Sequence, residues 1–590
     1  MRDGILAWNE AFERIGIHNA IQVRQMPDNA DWDPADARYH TIRWFVSPAS
    51  GYAIGPSLVD PRTGEIYDAD IGISADMLRG PFQELQFMVG PLHDALAMIS
   101  PPGWPNLDGH QVKWDQSTLD ILESRLRDTQ DRSGRDLFPA IHMIEGARAA
   151  MILQARGEMT PGSPEEARFI HDYTASLVVH EVGHTLGLKH NFAGSAGTPF
   201  WKLNQSIWTS EHGLSQSVMD YTTTNISPTG KPQGEYFQTR VGDYDSWAIE
   251  YAYKGMAAAT PQDEKPSLDE IASRAPAYRY AEDIDAMGWS MDPDPDCQLW
   301  DMSDDLPRWC SDRIEVSQQL LAGILQHWNE PGTRPAKIRN AFGYAIFDYM
   351  LAGRFVPRLV GGVRLYRDHV GDPNAHAALV PVSAEDQRRA LMFCRDKLWS
   401  SSQFQFDPQL LRMLGQDRNE TFDYSYMSGG ARDYDIHALV LDIQTAPLYW
   451  LYESVVLQRI INNESRMLAG EEPLTMVELF DTVRTSIWSE VAAGTSIDSY
   501  RRNLQRSHLE MITGLVLEPA PGTPEDAVTL ARRDLVTLRD SINSLLSGSG
   551  KANLDEMTVA HLEETLSRIN LTLTAPMVRG GGQFPFTLLF

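Results

Sequence analysis

Cysteines and long apolar runs are scarce in this sequence. The 590 residues include only three cysteines, Cys297, Cys310 and Cys394. Cys297 and Cys310 flank one loop and could form a disulfide in an oxidising compartment, but we favour two free buried thiols. No apolar run is long enough to span a bilayer, and the first residues show neither an apolar signal core nor a cleavage site. We therefore predict no membrane span and no signal peptide in this chain.

Basic residues are also in the minority. There are 51 Lys and Arg against 80 Asp and Glu, a net charge of −29. Because binding to phosphates needs a basic face, this balance argues against a nucleic-acid partner. The hydrophobic content of 42% is ordinary for a globular protein. The length exceeds what one hydrophobic core usually holds, so two or three domains are expected.

The clearest functional pattern lies at 180–190 and reads H-E-x-x-H-x-x-G-x-x-H. On a helix, His180 and His184 lie one turn apart on the same face, so both imidazoles can bind one ion. Gly187 stands where the helix must end, because glycine adopts the left-handed conformation without a Cβ clash. That turn brings His190 back as a third ligand. A structural histidine cluster is the alternative, but the five specified positions favour a metal site.

This ligand set predicts one catalytic Zn²⁺ ion. Three nitrogen ligands leave the fourth position of a tetrahedral zinc open to water, as catalysis requires. Glu181 follows the first ligand and can reach that water without binding the ion itself. We therefore predict Glu181 as the general base.

A second motif, Ser217-Val218-Met219-Asp220-Tyr221, follows the histidines. Together the two motifs resemble the metzincin clan of zinc metallopeptidases, in which a Met-turn places a methionine beneath three imidazoles. The residues after the last histidine, 191–195, extend the resemblance to the large bacterial zinc-dependent metalloproteases of the Met-zincin family. The resemblance covers most of the chain and implies a protein or peptide substrate.

The resemblance also implies an α+β fold and a domain order. A metzincin-like catalytic domain, with a twisted mixed sheet and an active-site helix, is expected at 1–255. An acidic linker at 256–312 and a mostly α-helical C-terminal domain at 313–590 are expected to follow. Members of this family are usually exported and carry further domains in front, so a periplasmic or secreted, extracellular location is expected for this chain.

The same resemblance implies roles for two residues of the Met-turn. Met219 is expected to support the site without binding the metal. Tyr221 matches the tyrosine that in some metzincins binds zinc at rest and then hydrogen-bonds the oxyanion. A tyrosine that merely packs in the turn is the alternative.

Local patterns place the elements around the motif. A capping box with Pro164 at the first helical position predicts that the active-site helix begins after Ser163 and runs to about Leu186. Alternating residues predict strands at 21–26, 38–46 and 67–73. Within the last, 69–71 resembles the edge strand with which substrate pairs in metzincins; an internal hairpin is the alternative.

An unusually acidic stretch spans 282–305. Carboxylates at this density could hold Ca²⁺, but the EF-hand spacing is absent, so a solvated acidic loop is favoured.

The resulting hypothesis is metal-assisted peptide hydrolysis by an endopeptidase. Three alternatives remain: a zinc hydrolase of a non-peptide substrate, a metal-stabilised binding or adhesion module, and an exopeptidase. Glu181 weighs against the binding module, since structural zinc needs no base.

Overall fold

The computed structural model describes residues 1–46, 53–75, 138–286, 292–328, 330–415 and 433–575. These residues form many helices and a few short strands, which confirms the α+β class. They divide into two compact units. The first unit comprises Met1–Val356, Val363–Val380 and Phe406–Leu439, and the second comprises Pro357–Gly362, Pro381–Gln405 and Val440–Phe590. The boundaries predicted at 255 and 312 stay a prediction.

A small mixed sheet lies in the first unit. Its strands are β1 (Thr41–Phe45), β2 (Ala53–Ile54), β3 (Ser57–Val59) and β4 (Ile66–Ser74). β4 pairs in parallel with β1 and antiparallel with β2 and β3. The side chains of Ile71 and Ile73 are buried, as the alternation predicts.

Two of the strand predictions are wrong. Residues 69–71 do not form an edge, because Ala69 pairs with Ser57 on one side while Asp70 and Ile71 pair with β1 on the other. Residues 21–26 form no strand. Alternation predicts which face is buried but not which neighbours will supply hydrogen bonds.

Helices are the main regular elements of the first unit outside this sheet. They are α1 (Arg2–Leu6), α2 (Asn9–Arg14), α3 (Phe138–Ala155), α4 (Pro164–Thr185), α5 (Ser206–His212), α6 (Asp243–Tyr253), α7 (Pro261–Ala272), α8 (Asp283–Ala286), α9 (Leu306–His327) and α10 (Pro335–Phe355). One more short helix of this unit, Pro408–Arg412, comes later in the chain. A short pair of strands, Val363–Leu365 and Leu379–Pro381, follows α10.

The active-site helix α4 begins as predicted. The Ser163 hydroxyl accepts a hydrogen bond from the Glu166 backbone N–H at 3.1 Å, and Pro164 occupies the first helical position. Its C-terminal half is buried from Tyr173 to Gly183. The helix therefore holds His180 and Glu181 inside the core, where packing restricts side-chain movement.

The second unit is helical. Its helices are Ala384–Phe393, Ser454–Glu464, Met476–Ile487, Ser489–Ala493, Ser499–Leu517, Glu525–Ser547 and Glu556–Thr574, together with most of Ile436–Leu451. Four of its longer helices bury stripes that contain leucine and isoleucine. In the part of the chain that the structure describes, no helix is long and apolar enough to cross a membrane.

Candidate metal centre

The three histidines of the motif come together at one point. The candidate ligand atoms of His180, His184 and His190 all lie within 4.8 Å of one another. α4 presents the first two one turn apart, and Gly187 ends the helix with a left-handed φ of 91°. The Leu188 N–H then donates to the Gly183 carbonyl at 3.1 Å, which closes the C-terminal turn and returns the chain to His190.

One nitrogen of each imidazole is already engaged. Nδ1 of His180 lies 2.7 Å from the Val218 carbonyl, and Nδ1 of His184 lies 3.0 Å from the Leu188 carbonyl. Nδ1 of His190 lies 2.9 Å from Oδ1 of Asp283. Because each acceptor requires a proton on Nδ1, Nε2 of each ring carries the lone pair that a metal needs.

Glu181 is fully buried beside this cluster. The backbone at Gly55, between β2 and β3, lies close above it. A Cβ at position 55 would lie 3.2 Å from Oε2 of Glu181 and 3.7 Å from Cβ of His184. Glycine at this position lets the sheet approach the helix where the carboxylate lies.

The Met-turn packs directly against α4. A Cβ at Gly183 would collide with Sδ of Met219 and lie 2.9 Å from Cζ2 of Trp8. Met219 is completely buried. The Tyr221 hydroxyl lies 2.9 Å from Nε2 of His190 and is therefore at the metal centre. The structure thus brings Met219 and Tyr221 to the histidines.

Two buried carboxyl groups, those of Asp245 and Asp220, fix the Met-turn through hydrogen bonds. Asp245, in the first turn of α6, accepts hydrogen bonds from Ser217 Oγ at 2.7 Å and from the Val218 N–H at 2.8 Å. Asp220 accepts from the Ser195 N–H at 2.6 Å. Burial raises the pKa of Asp245 to about 6 and that of Asp220 to about 7.

The prediction of a solvated acidic loop is wrong for residues 297–303, because they are buried and this part of the acidic stretch packs on the site. The Trp300 N–H donates to the Tyr221 carbonyl at 2.8 Å, and the Ser195 hydroxyl donates to Asp301 at 3.1 Å. Trp300 is buried and has a left-handed φ of 66°, a conformation that costs a bulky residue energy and persists because the surroundings hold it. Residues 297–305 therefore form part of the support beneath the Met-turn.

The described residues of the acidic stretch give no support for a Ca²⁺ site. Asp294 and Asp296 both pair with Arg279, and Arg364 donates to Asp296 at 2.7 Å. Within the described ranges, the histidine triad is the only group of three or more His, Cys, Asp or Glu side chains close enough to hold an ion. Cys297, Cys310 and Cys394 are buried thiols that form no disulfide with one another, as expected.

Sequence reasoning missed Asp283, Asp245 and Trp8. Asp245 had a local signal: it stands three residues after Gly242 and accepts the Gly242 N–H at 2.7 Å, as the acid of a capping box does. Asp283 had none, because it is one of many acids in its stretch. Trp8, whose indole N–H donates to the Val179 carbonyl at 2.9 Å, looked like any apolar helix residue.

The donor set fits a zinc ion and defines the class of protein. Three neutral imidazoles are ligands that Zn²⁺ prefers, and a site with only three protein ligands is typical of hydrolytic zinc enzymes. A family model described as Met-zincin matches residues 162–494, more than half of the chain. The chain therefore belongs to the Met-zincin family, which implies a zinc metallopeptidase acting on protein or peptide. No match is found among curated proteins or among solved structures.

Proposed function

We propose that the chain is a zinc-dependent metalloendopeptidase with His180, His184 and His190 as ligands and Glu181 as general base. The observation that supports this most strongly is the set of hydrogen-bond contacts made by Nδ1 of each histidine in the triad. All three Nδ1 atoms have acceptors within 3.0 Å, so three lone pairs converge beside a buried carboxylate. Purely structural histidines would have no need of that carboxylate.

The protein groups have separate tasks in this mechanism. Bound Zn²⁺ supplies Lewis acidity, which lowers the pKa of water and polarises a carbonyl. The Glu181 carboxylate takes the proton from the attacking water and passes it to the leaving amine. The Tyr221 hydroxyl, at the edge of the triad, donates a hydrogen bond to the oxyanion as it develops. Gly187 and Met219 keep the ligands in place.

The substrate is proposed to bind as an extended strand near Gly55. β3 has no second neighbour within the described residues, whereas β4 is paired on both sides. The side chains of Leu58 and Val59 on β3 are exposed. A peptide pairing beside this segment would lie next to Glu181, so this segment replaces 69–71 as the proposed docking strand.

Glu181→Gln tests the proposal. Peptide hydrolysis, measured with casein and with peptides blocked at both ends, should fall at least ~100-fold, since a general base contributes that much. Zinc content, measured by atomic emission, should equal that of the unaltered protein. Glu165→Gln, an exposed change on the same helix, is the matched control and should retain full activity.

The alternatives predict different outcomes. A non-peptide hydrolase would show Glu181-dependent cleavage of esters but none of casein. A binding module would hold zinc and hydrolyse neither. An exopeptidase would cleave only peptides with an unblocked end. Equal activity of Glu181→Gln and unaltered protein would overturn the proposed mechanism.

A further inference from the structure

We propose that Asp283 is a positioning residue for the third metal ligand, so that the acidic stretch completes the metal site. The inference rests on the proposed function, because it concerns the same three histidines. It assigns to Asp283 a task that neither the histidine motif nor the Met-turn contains. Asp283 acts through His190 and touches neither substrate nor metal.

The contact between Asp283 and His190 differs from those of the other ligands. His180 and His184 donate their Nδ1 protons to backbone carbonyls, whereas His190 donates to a carboxylate at 2.9 Å. A charged acceptor forms a stronger hydrogen bond than a neutral one and makes the opposite ring nitrogen a better donor to a metal. Nδ1 of His190 is thus held by a carboxylate side chain, whereas Nδ1 of His180 and Nδ1 of His184 face backbone carbonyls.

The surrounding backbone holds Asp283 in place. The Phe192 N–H donates to the Ala281 carbonyl at 2.7 Å, which joins the chain before Asp283 to the chain after His190. The Asn191 side chain closes the same junction from both directions. Its Oδ1 accepts from the Ala281 N–H at 3.1 Å, and its Nδ2 donates to the Arg279 carbonyl at 3.0 Å.

These bonds fix the separation between ligand and carboxylate. Residues 191–192 and 279–281 form one hydrogen-bonded unit, and the two side chains extend from its ends. The side chains of His190 and Asp283 are 12% and 27% exposed, so water screens the contact only partly. A carboxylate held in this way can orient the ring without a large loss of side-chain entropy.

A neighbouring ion pair provides an internal comparison. Nζ of Lys189 lies 2.6 Å from Oε2 of Glu282, one residue before each member of the His190–Asp283 pair. The Lys189 side chain is 70% exposed, and exposed pairs of this kind contribute little to stability. The two adjacent acids therefore differ in what they contact, and only Asp283 contacts a ligand.

The experiment measures metal binding by Asp283→Ala, Asp283→Asn and Asp283→Glu in the full chain, with Glu282→Gln as the matched control. Zinc affinity is determined by competition with a chromophoric chelator. The Co²⁺-substituted proteins are compared by their visible d–d spectra, which report ligand geometry. The melting temperature of the metal-free proteins is recorded alongside.

We expect Asp283→Ala to weaken zinc binding roughly 10- to 100-fold, the usual effect of removing a partner of a ligating histidine. Asp283→Asn keeps an acceptor without the charge and should lose less, but its Co²⁺ spectrum should still shift. Asp283→Glu should recover much of the affinity. Glu282→Gln should match the unaltered protein in affinity and spectrum.

Three results would overturn the inference. If Asp283→Asn and Asp283→Ala keep the zinc affinity and Co²⁺ spectrum of an unaltered protein that binds zinc, Asp283 does not position His190, and the proposed peptidase function stands. If the variants only lower the melting temperature of the metal-free protein, the role is structural. If the unaltered protein itself fails to bind zinc, the proposed function falls together with the inference.

Discussion

Behind the Met-turn the first unit buries carboxylates, whereas the helices of the second unit bury imidazoles. Asp245 receives hydrogen bonds from a hydroxyl and two backbone N–H groups. His508 lies 2.9 Å from the Tyr452 hydroxyl and accepts from the Trp488 indole N–H at 3.1 Å. Both side chains are fully buried, and neither forms an ion pair within the described residues that would compensate a charge.

The same cause acts on these groups in opposite directions. Loss of water disfavours a charge of either sign, so burial raises the pKa of Asp245 to about 6 and lowers the pKa of His508 to about 3. The Asp245 carboxyl therefore contributes most to stability in acid, where it is protonated. The His508 imidazole contributes most above neutrality, where it is uncharged in both the folded and the unfolded state. As pH rises from 4 to 6.5, the contribution of Asp245 to stability therefore falls while that of His508 increases.

His508→Gln removes the larger of these contributions. The folded pKa of His508 lies below the unfolded value of 6.5, so the unfolded state takes up the proton first as pH falls. At about 1.4 kcal/mol per unit, about 5 kcal/mol of stability is lost between pH 6.5 and 3. Calorimetric scans across this range should show a weaker acid destabilisation in the variant. His369→Gln, an exposed change, should follow the unaltered protein; an unaltered slope in His508→Gln would contradict the assignment.

Asp245→Asn tests the opposite sign. The folded pKa of about 6 lies above the unfolded one, so the carboxyl's contribution is complete below about pH 4 and is lost as pH rises through 6. Relative to the variant, the unaltered protein should lose about 3 kcal/mol across this window. Urea titrations at several pH values measure the difference. The exposed Asp243→Asn, on the same helix, is the control, and a difference that grew towards acid would refute the sign.

Gly183→Ala in the first unit and Gly514→Ala in the second together compare how tightly the two regions are packed, and the expected change in the free energy of unfolding is smaller than for the substitutions above. The methyl added at Gly183 would meet Met219 and Trp8, so we expect a loss of about 2 kcal/mol, as for other overpacked positions. Gly514, inside the second unit's helix Ser499–Leu517, has open space around its missing Cβ. Gly514→Ala should be neutral or should stabilise by up to about 1 kcal/mol. Equal destabilisation by both changes in denaturant titrations would show that the Met-turn packing is not specially tight.

Much of the site was predictable because its signals are local. Spacing placed His180 and His184 on one helix face, Gly187 predicted the left-handed turn, and Ser163 predicted where the helix begins. In each case neighbouring residues in the chain supply the determining interactions.

The remaining features depend on partners distant in sequence. Asp283 contacts a histidine 93 residues earlier, and Trp8 contacts a carbonyl 171 residues later. The pairing of β4 on both sides likewise depends on other strands of the chain, β1 on one side and β2 and β3 on the other. No periodicity encodes such choices, because they are decided by which surfaces meet when the chain collapses.

The junction between residues 191–192 and 279–281 has a consequence for how the protein is made. During synthesis the histidine motif leaves the ribosome well before the segment carrying Asp283. Nascent chains fold progressively from the N-terminus, so the three imidazoles emerge while their outer support is still being translated. If Asp283 positions His190 as we propose, full affinity for the ion develops only after the polypeptide has been extended past that later segment.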